Sequence, residues 1–262
     1  MGAAVASFCA VLGLLIGSFL NVVIWRVPRK ESVVRPPSHC PGCDAPIAPR
    51  DNVPVISWLV LRARCRHCQA PISARYPLVE ALTGALFAGM ALRMDRLEHG
   101  YAVLPAYLVF TAVVVALSFI DLDTKRLPNV LVLPMYPVAL VGLGVPALVY
   151  GQGRDALNAA IGGAALYGFY FILCFATAGK GLGFGDVKLA GVLGLFLGWV
   201  GGRDVLVGAL AGIFVGGLVA VGLLLRGAGR KAQVPFGPFL VAGALIGIFA
   251  GHPVARAWLG SA

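Results

Sequence analysis

The sequence has little charge, and its acidic residues are fewer than its basic ones. Of its 262 residues, 12% are charged, and 11 acidic residues stand against 21 lysines and arginines. Soluble domains carry about 25% charged residues, roughly twice this share. The composition therefore excludes an ordinary soluble domain, and an acid inside an apolar segment becomes a candidate functional residue.

Long apolar segments fill most of the chain instead. A helix needs about 20 predominantly apolar residues to cross the hydrocarbon core of a bilayer, and most of these segments are long enough. The pattern predicts an all-α, polytopic membrane protein with about eight transmembrane helices. The predicted helices cover residues 5–25, 76–92, 101–120, 130–150, 156–178, 187–200, 205–225 and 234–249.

The distribution of lysine and arginine predicts the orientation of these helices. The segment 5–25 has no basic residue before it, so we interpret it as a first transmembrane helix rather than a signal peptide. With the N-terminus outside, 16 of the basic residues fall on inside segments and 5 on outside segments, as the positive-inside rule requires. The topology then explains the net charge of +10, which also indicates contact with anionic membrane lipid. We therefore expect no nucleic-acid partner.

One polar insert, residues 26–75, interrupts the apolar pattern. It contains two C-x-x-C pairs separated by 21 residues, a spacing typical of a structural zinc site with four thiolate ligands. Two disulfides are the alternative. Because the charge rule places the insert in the cytoplasm, where thiols stay reduced, we favour zinc. The candidate ligands are Cys40, Cys43, Cys65 and Cys68.

Two aspartates stand at the ends of apolar segments. Asp121 begins the run Asp-Leu-Asp-Thr-Lys-Arg-Leu-Pro-Asn, and Asp186 ends the run Gly-Leu-Gly-Phe-Gly-Asp. In the predicted topology both lie at the cytoplasmic face, where they can form an acid/base pair. The alternatives are structural: Asp186 is a good helix N-cap, and Asp121 or Asp123 can open a turn.

The motifs of other enzymes are absent. There is no H-E-x-x-H metal site and no G-x-S-x-G nucleophile. Glycines 179, 181, 183 and 185 alternate before Asp186 without matching a dinucleotide-binding loop, and they indicate a backbone that another chain can approach closely. Two carboxyls suit hydrolysis by an activated water, in which an ionised aspartate takes the proton and a protonated partner donates to the carbonyl oxygen.

Five segments, in order along nearly the whole chain, resemble the type IV prepilin peptidases. Residues 17–28 resemble the family's N-terminal signature, the paired cysteines its cytoplasmic zinc insert, and residues 75–84 the segment that re-enters the membrane. Residues 121–129 and 183–186 resemble the two catalytic segments. The second of these is the G-x-G-D motif shared with presenilin-like intramembrane aspartyl proteases.

The resemblance implies a bacterial inner-membrane enzyme with two activities. It would cut the basic leader from type IV prepilins or pseudopilins at the cytoplasmic face, and then methylate the new N-terminal amine with S-adenosylmethionine. It assigns catalysis to Asp121 and Asp186, with Asp123 as the fallback for Asp121. Archaeal relatives cleave without a zinc insert, so the zinc site is expected to support folding or methylation. The implied domains are a first transmembrane helix at 1–25, a cytoplasmic zinc insert at 26–75 and a transmembrane peptidase domain at 76–262.

Two details of the site stay open at this point. No S-adenosylmethionine motif is recognisable, and Glu80, a lone acid in an apolar helix, is a candidate either for that site or for a structural hydrogen bond. The helix dipole favours an ionised Asp186 at a helix N-terminus, acting as base, and a protonated Asp121 near a helix C-terminus.

Two other functions compete with the peptidase. One is a proton-coupled transporter that uses the acids as a relay, and the other is a non-catalytic pilus or secretion assembly factor that binds a partner through the zinc insert. Transporter sites usually lie near the midplane of the bilayer. Because both acids are predicted at one face, the sequence favours the peptidase.

Overall fold

The computed structural model describes residues 2–177, 182–225 and 235–259, and this part of the chain is all-helical. Apolar segments form helices because, in lipid, each backbone polar group has to be satisfied within its own segment. The insert adds two short 3-10 helices, Val27–Arg29 and Pro49–Asp51. The α-helices are α1 (Gly2–Arg26), α2 (Ile56–Val60), α3 (Arg75–Met94), α4 (Gly100–Thr124), α5 (Asn129–Val132), α6 (Met135–Tyr150), α7 (Gly153–Ala176), α8 (Phe184–Val200), α9 (Gly202–Leu225) and α10 (Gly237–Leu259).

The prediction of an all-α, polytopic membrane protein is confirmed. Two of the eight predicted spans, residues 187–200 and 234–249, correspond to shorter apolar segments. These are α8, which has 17 residues, and the apolar part of α10, Gly237–Gly251. The count of eight is therefore approximate. Within the described ranges, six segments are long and apolar enough to cross a membrane: Gly2–Arg29, Arg75–Met94, Gly100–Thr124, Asn129–Tyr150, Gly153–Ala176 and Gly202–Leu225.

Several helices extend beyond the apolar segments that predicted them. Helix α4 continues to Thr124, so Asp121 lies inside the helix rather than after it. Helix α8 begins at Phe184, so Asp186 is its third residue. Each extra turn contains an aspartate, at which the hydropathy pattern stops, so hydropathy alone placed both boundaries too close to the apolar core.

One predicted span is divided. The segment 130–150 forms α5 and α6, and the break lies at Pro134, which has no N–H to continue a helical hydrogen-bond ladder. Some sequence features lie outside the described residues. These are Ala178 and Val234 at the ends of predicted spans, the glycines Gly179 and Gly181, and the basic residues Lys180, Arg226, Arg230 and Lys231.

The chain folds as two compact units, Met1–Ala116 and Leu117–Ala262. In the first unit α1 packs against α3, and the insert connects the end of one helix to the start of the other. A Cβ atom at Gly17 of α1 would lie 2.7 Å from the Cα atom of Glu80 in α3. Contact between small residues is the usual way in which helices pack closely in membranes.

In the second unit α7 packs against α8, and α9 packs against α10. A Cβ atom at Gly162 of α7 would lie 2.5 Å from the carbonyl oxygen of Gly194 in α8. Gly243 of α10 approaches the backbone of Gly208 and Gly212 in α9 in a similar way. Backbone contacts of this kind hold α8 close against α7 and α10 close against α9.

Candidate active site and metal centre

Asp121 lies on α4, one turn before the helix ends, and its residue is only 4% exposed. Its Oδ2 atom accepts a 2.9 Å hydrogen bond from the backbone N–H of Gly237, the first residue of α10. A Cβ atom at position 237 would lie 2.7 Å from this oxygen, so any side chain there would force the carboxyl group to shift. Among the described residues, the carboxyl group is therefore held by main chain rather than by a basic side chain.

Asp186 is half-buried near the start of α8. Its Oδ2 atom accepts a 3.0 Å hydrogen bond from the N–H of Gly183, the N-cap residue, and its own N–H donates to the Gly183 carbonyl oxygen at 3.0 Å. The first bond is one half of a capping box, in which the side chain at N3 accepts from the N-cap N–H; glycine has no side chain for the other half, and its carbonyl oxygen takes the N3 N–H instead. The alternative of Asp186 as the N-cap itself is wrong, because the helix starts at Phe184.

Three segments of the second unit meet at the two aspartates: the end of α4, the start of α8 and the start of α10. Leu127, just after α4, lies against both of the others. A Cβ atom at Gly185 would be 3.1 Å from the Cβ of Leu127, and one at Gly237 would be 3.4 Å from its Cδ2. Asp121 and Asp186 are close enough to interact electrostatically. The fold thus brings the two carboxyl groups to one place.

The surroundings of Asp121 remove the physical reason for the predicted order of protonation of the two aspartates. The order of protonation was predicted from Asp121 near a helix C-terminus and Asp186 near a helix N-terminus. In the structure the Asp121 carboxyl faces the first N–H of α10, and the Asp186 carboxyl faces the N-cap of α8. Helix dipoles favour negative charge at both positions and do not distinguish them. The order stays a prediction without this support.

The segment 121–129, which contains Asp121, contacts α8 through its last residue, Asn129. Asp123, two residues beyond Asp121, is exposed and points about 200° away around the helix. Further along, the Oδ1 atom of Asn129 accepts a 3.0 Å hydrogen bond from Lys188 Nζ, and the Tyr136 hydroxyl donates to the Lys188 carbonyl oxygen at 2.9 Å. These contacts fasten the segment after α4 to the first turns of α8.

Two residues near the aspartates, Gly237 and Tyr170, were not predicted from the sequence. Tyr170 on α7 is buried, its hydroxyl has no hydrogen-bond partner within the described ranges, and it is close enough to Asp186 to interact electrostatically. Its ring lies 6.2 Å from that of Phe236. Gly237 has a sequence signal, the Pro-Phe-Gly-Pro cluster at 235–238 before the last apolar segment. Tyr170 lies inside an apolar run and has none.

The four cysteines of the insert form a compact cluster. Their Sγ atoms all lie within 4.8 Å of one another, and those of Cys40 and Cys68 are 3.7 Å apart. Four thiolates bound at about 2.3 Å to a tetrahedral zinc ion lie about 3.8 Å apart, so the cluster fits this ion. All six cysteines of the chain are free, which is contrary to the disulfide alternative.

The two cysteine pairs have the same backbone structure, 25 residues apart. The N–H of Cys40 donates to the Ala45 carbonyl oxygen at 2.9 Å, and the N–H of Cys65 donates to that of Ala70 at 2.8 Å. The residue after each pair has a positive φ, which closes the turn. The repeat is visible in the sequence as C-x-x-C-x-A-P-I, a pattern from which the shared turn could have been predicted.

Backbone N–H groups favour ionised sulfur in this cluster. Those of Cys68 and His67 lower the pKa of Cys65 to about 6, so this thiol ionises near neutral pH. The Ala45 backbone favours the Cys43 thiolate as well, but hydrogen bonds with Cys68 and the other cluster thiols raise the pKa of Cys43 to about 12. A cation at the centre reverses that preference, because a metal-bound thiol is deprotonated outright.

Glu80, the candidate acid for an S-adenosylmethionine site, makes a hydrogen bond within the first unit. Glu80 is buried in α3, and its Oε2 atom accepts a 2.7 Å hydrogen bond from the N–H of Val55, which is the structural alternative. A cleft of about 270 Å³ between α1 and the insert is lined mainly by apolar side chains, and the charged side chain in that lining is Arg26. The cleft lining therefore contains no acidic side chain to pair with a sulfonium cation.

Comparison with known proteins identifies the family. The model of the bacterial Peptidase A24 N-terminal domain matches residues 11–94, and the model of the type IV leader peptidase family matches residues 108–249. No solved structure matches the chain.

Several curated relatives carry the name prepilin leader peptidase/N-methyltransferase. The one from Aeromonas hydrophila is 39% identical over 97% of this chain and 93% of its own length. The one from Neisseria gonorrhoeae is 36% identical over 95% and 93%, and the one from Myxococcus xanthus (strain DK1622) is 44% identical over 86% and 64%. The similarity covers nearly the whole of this chain and nearly the whole length of the Aeromonas hydrophila and Neisseria gonorrhoeae relatives. The chain therefore belongs to the type IV leader peptidase family.

Proposed function

We propose that this chain is a prepilin leader peptidase and N-methyltransferase in which Asp121 and Asp186 cleave the peptide. The observation that carries the proposal is that the two carboxyl groups lie close enough to interact electrostatically, each held through Oδ2 by the backbone N–H of a glycine. The names of the relatives support both activities. They do not favour the transporter or the assembly factor.

The pair supports attack by water without a covalent intermediate. The ionised carboxyl takes a proton from water, whose oxygen attacks the scissile carbonyl carbon, while the protonated carboxyl donates to the carbonyl oxygen. In the second step a hydroxyl of the tetrahedral intermediate returns its proton to the carboxyl that gave one. The carbon–nitrogen bond then breaks as the other carboxyl protonates the leaving amine. The pair ends with the single proton with which it began.

The surroundings of the two carboxyl groups suit this exchange. Each is oriented by a neutral main-chain donor, and among the described residues no side-chain cation bonds to either carboxyl group and holds it ionised. The exposed position of Asp123 favours Asp121 as the partner of Asp186. We further propose that the site faces the cytoplasm, where the basic leader of an inserted prepilin would lie, and that the N-terminus is periplasmic in the bacterial inner membrane.

The cysteine cluster is proposed to hold a structural zinc ion through Cys40, Cys43, Cys65 and Cys68. Four thiolates complete the coordination shell, so no position is left for a catalytic water. Binding would stabilise an insert with little apolar core of its own. The methyl donor is proposed to be S-adenosylmethionine, and no step of methyl transfer is assigned to a described residue.

The test is cleavage of a purified prepilin by the purified protein in lipid nanodiscs. We expect a shortened product whose rate of formation falls by about 10³-fold or more in Asp121→Asn and in Asp186→Asn. Asp123→Asn is the matched control and should cleave like the parent. Unchanged cleavage in either of the first two variants would overturn the assignment, and loss in Asp123→Asn alone would transfer the role to that residue.

A further inference from the structure

Helix α2 presents an apolar face to the outside of the first unit. Ile56, Leu59 and Val60 stand at positions i, i+3 and i+4 and so share one side of the helix. They are 59%, 60% and 70% exposed, although each is strongly apolar. We call these three side chains the apolar face of α2.

The opposite side of α2 is fixed by hydrogen bonds within the insert. The Ser57 hydroxyl donates to the carbonyl oxygen of Arg50 at 3.1 Å, and the Trp58 indole N–H donates to that of Ile72 at 3.0 Å. Turning the helix inward to bury its apolar face would break both bonds. The outward orientation is therefore built into the insert.

A hydrogen bond to α3 places the start of α2 beside a membrane-crossing helix. The N–H of Val55, the residue before α2, donates to Glu80 Oε2 at 2.7 Å. Glu80 is the sixth residue of α3, which begins at Arg75. At 1.5 Å per residue, this position is about 8 Å inside the end of α3.

Helix α1 gives a second measure of the same depth. Gly17 packs on Glu80, and Gly17 lies nine residues before Arg26, where α1 ends. That distance is about 14 Å along the helix axis. In addition, Pro54 lines one cleft together with Leu15 of α1. Glu80, to which the start of α2 is bonded, thus lies about 8–14 Å along the helix axes from the ends of two predicted transmembrane helices, so α2 begins beside these helices rather than beyond their ends.

The residues around α2 carry the charge that a membrane surface attracts. Arg50, Arg62 and Arg64 flank the helix on both sides and are exposed. Basic residues beside a bilayer are attracted by anionic headgroups. A helix with an apolar face that is buried about 5–10 Å into the boundary between headgroups and acyl chains is the usual form of an interfacial anchor.

We propose that α2 is an interfacial anchor, with its apolar face in the acyl-chain region and its flanking arginines on anionic phospholipid headgroups. The partner is lipid, and the inference does not depend on the peptidase activity. It follows that the insert is attached to the bilayer at three points, the ends of α1 and α3 and the α2 anchor between them.

Photocrosslinking in nanodiscs of phosphatidylethanolamine and phosphatidylglycerol tests the proposal. The full-length chain would carry p-benzoylphenylalanine in place of Leu59 and, in a second variant, of Val60. The matched control has the same replacement at Gln69, an exposed position on the second cysteine turn. After irradiation we expect both α2 variants to gain the mass of one phospholipid and the Gln69 variant to gain none. A full zinc content would show that each variant is folded.

The charge component has its own measurement. Arg62→Gln should lower the share of phosphatidylglycerol among the lipid adducts at Leu59 by about fivefold relative to phosphatidylethanolamine. An unchanged share would overturn the headgroup contact. The anchor itself would be overturned by folded α2 variants that give no lipid adduct, that crosslink to a protein instead, or that give as much lipid adduct as the Gln69 control.

Discussion

The cysteine cluster and the aspartate pair both collect residues from distant parts of the sequence, but they use different contacts to do so. Each cysteine pair is shaped by hydrogen bonds inside its own short loop, and the same turn occurs twice, at Cys40 and at Cys65. The aspartates depend on contacts between helices. Gly237, which holds Asp121, is 116 residues away, and Leu127 fits between two glycines.

This difference has consequences for how each site responds to change. A metal that binds four ligands contributes folding free energy to its own site, so the surrounding chain needs little packing of its own. Two carboxyl groups have no such bond between them, and their positions are set by helix packing and main-chain donors. We therefore expect cleavage to be sensitive to small volume changes around the aspartates and nearly indifferent to the cysteine cluster.

The largest effect on cleavage outside the aspartates themselves is expected from Gly237→Ala. The new Cβ atom would lie 2.7 Å from Asp121 Oδ2 and would have to displace the carboxyl group. A shift of about 1 Å at a reacting group costs roughly 10²-fold in rate, so kcat for prepilin cleavage should fall by that amount. Gly217→Ala is the matched control, because nothing lies within 4 Å of that Cβ position. Equal activity of the two variants would contradict the close contact at Asp121.

Tyr170→Phe sharpens the comparison by removing one oxygen atom. We expect its hydroxyl to hydrogen-bond the catalytic water or Asp186, so kcat should fall by about tenfold while KM stays the same. If the hydroxyl has only a structural role, kcat should stay the same in Tyr170→Phe. Stability should then be unchanged or higher, because the variant no longer buries a hydroxyl without a partner. The pH profile of kcat, measured with the melting temperature, separates the two cases.

Helix packing between α7 and α8 should matter less for cleavage and more for stability. Gly194→Ala places a methyl group against the Gly162 carbonyl oxygen, and overpacking of this kind costs about 1–3 kcal/mol. Thermal unfolding in detergent should shift downward by several degrees, with a smaller loss of cleavage. Gly168→Ala makes the same substitution on α7 in open space, where alanine favours the helix, and should not lower the melting temperature.

The smallest effect on cleavage is expected from Cys65→Ser. Bound zinc should fall from one equivalent to none, and trypsin should cut the arginine-rich insert, while prepilin cleavage stays close to that of the parent. Cys174→Ser is the control: its sulfur donates to the Leu182 carbonyl oxygen at 3.3 Å, a bond that serine can also make, and its zinc content should not change. Loss of cleavage in step with loss of zinc would show that the two regions are coupled. It would contradict the expectation that cleavage is nearly independent of the cysteine cluster.

The same contrast explains what the sequence could predict. Ligand chemistry dictates the spacing of the cysteines, so the cluster was predicted to the residue, and hydropathy located every long helix. Gly237 could not be assigned to Asp121, because no local pattern records which of many helix ends meet in space. The ends of α4 and α8 were misplaced by up to one turn, because polar residues continue a helix once tertiary contacts support them. Tyr170 could not be predicted either, because an aromatic residue within an apolar segment is usually a packing residue. Only the structure shows that its hydroxyl is buried near Asp186.

The hydrogen bond from Gly237 to Asp121 also bears on how this site can vary in a population of mutants. Its donor is a peptide group, which every amino acid except proline carries. Substitution at position 237 therefore adds bulk without deleting the donor, and only Gly237→Pro removes the N–H. A saturation library at this position should separate into graded losses that follow side-chain volume and one variant, proline, that falls below the trend. That pattern would distinguish a steric requirement from a hydrogen-bonding one within a single experiment.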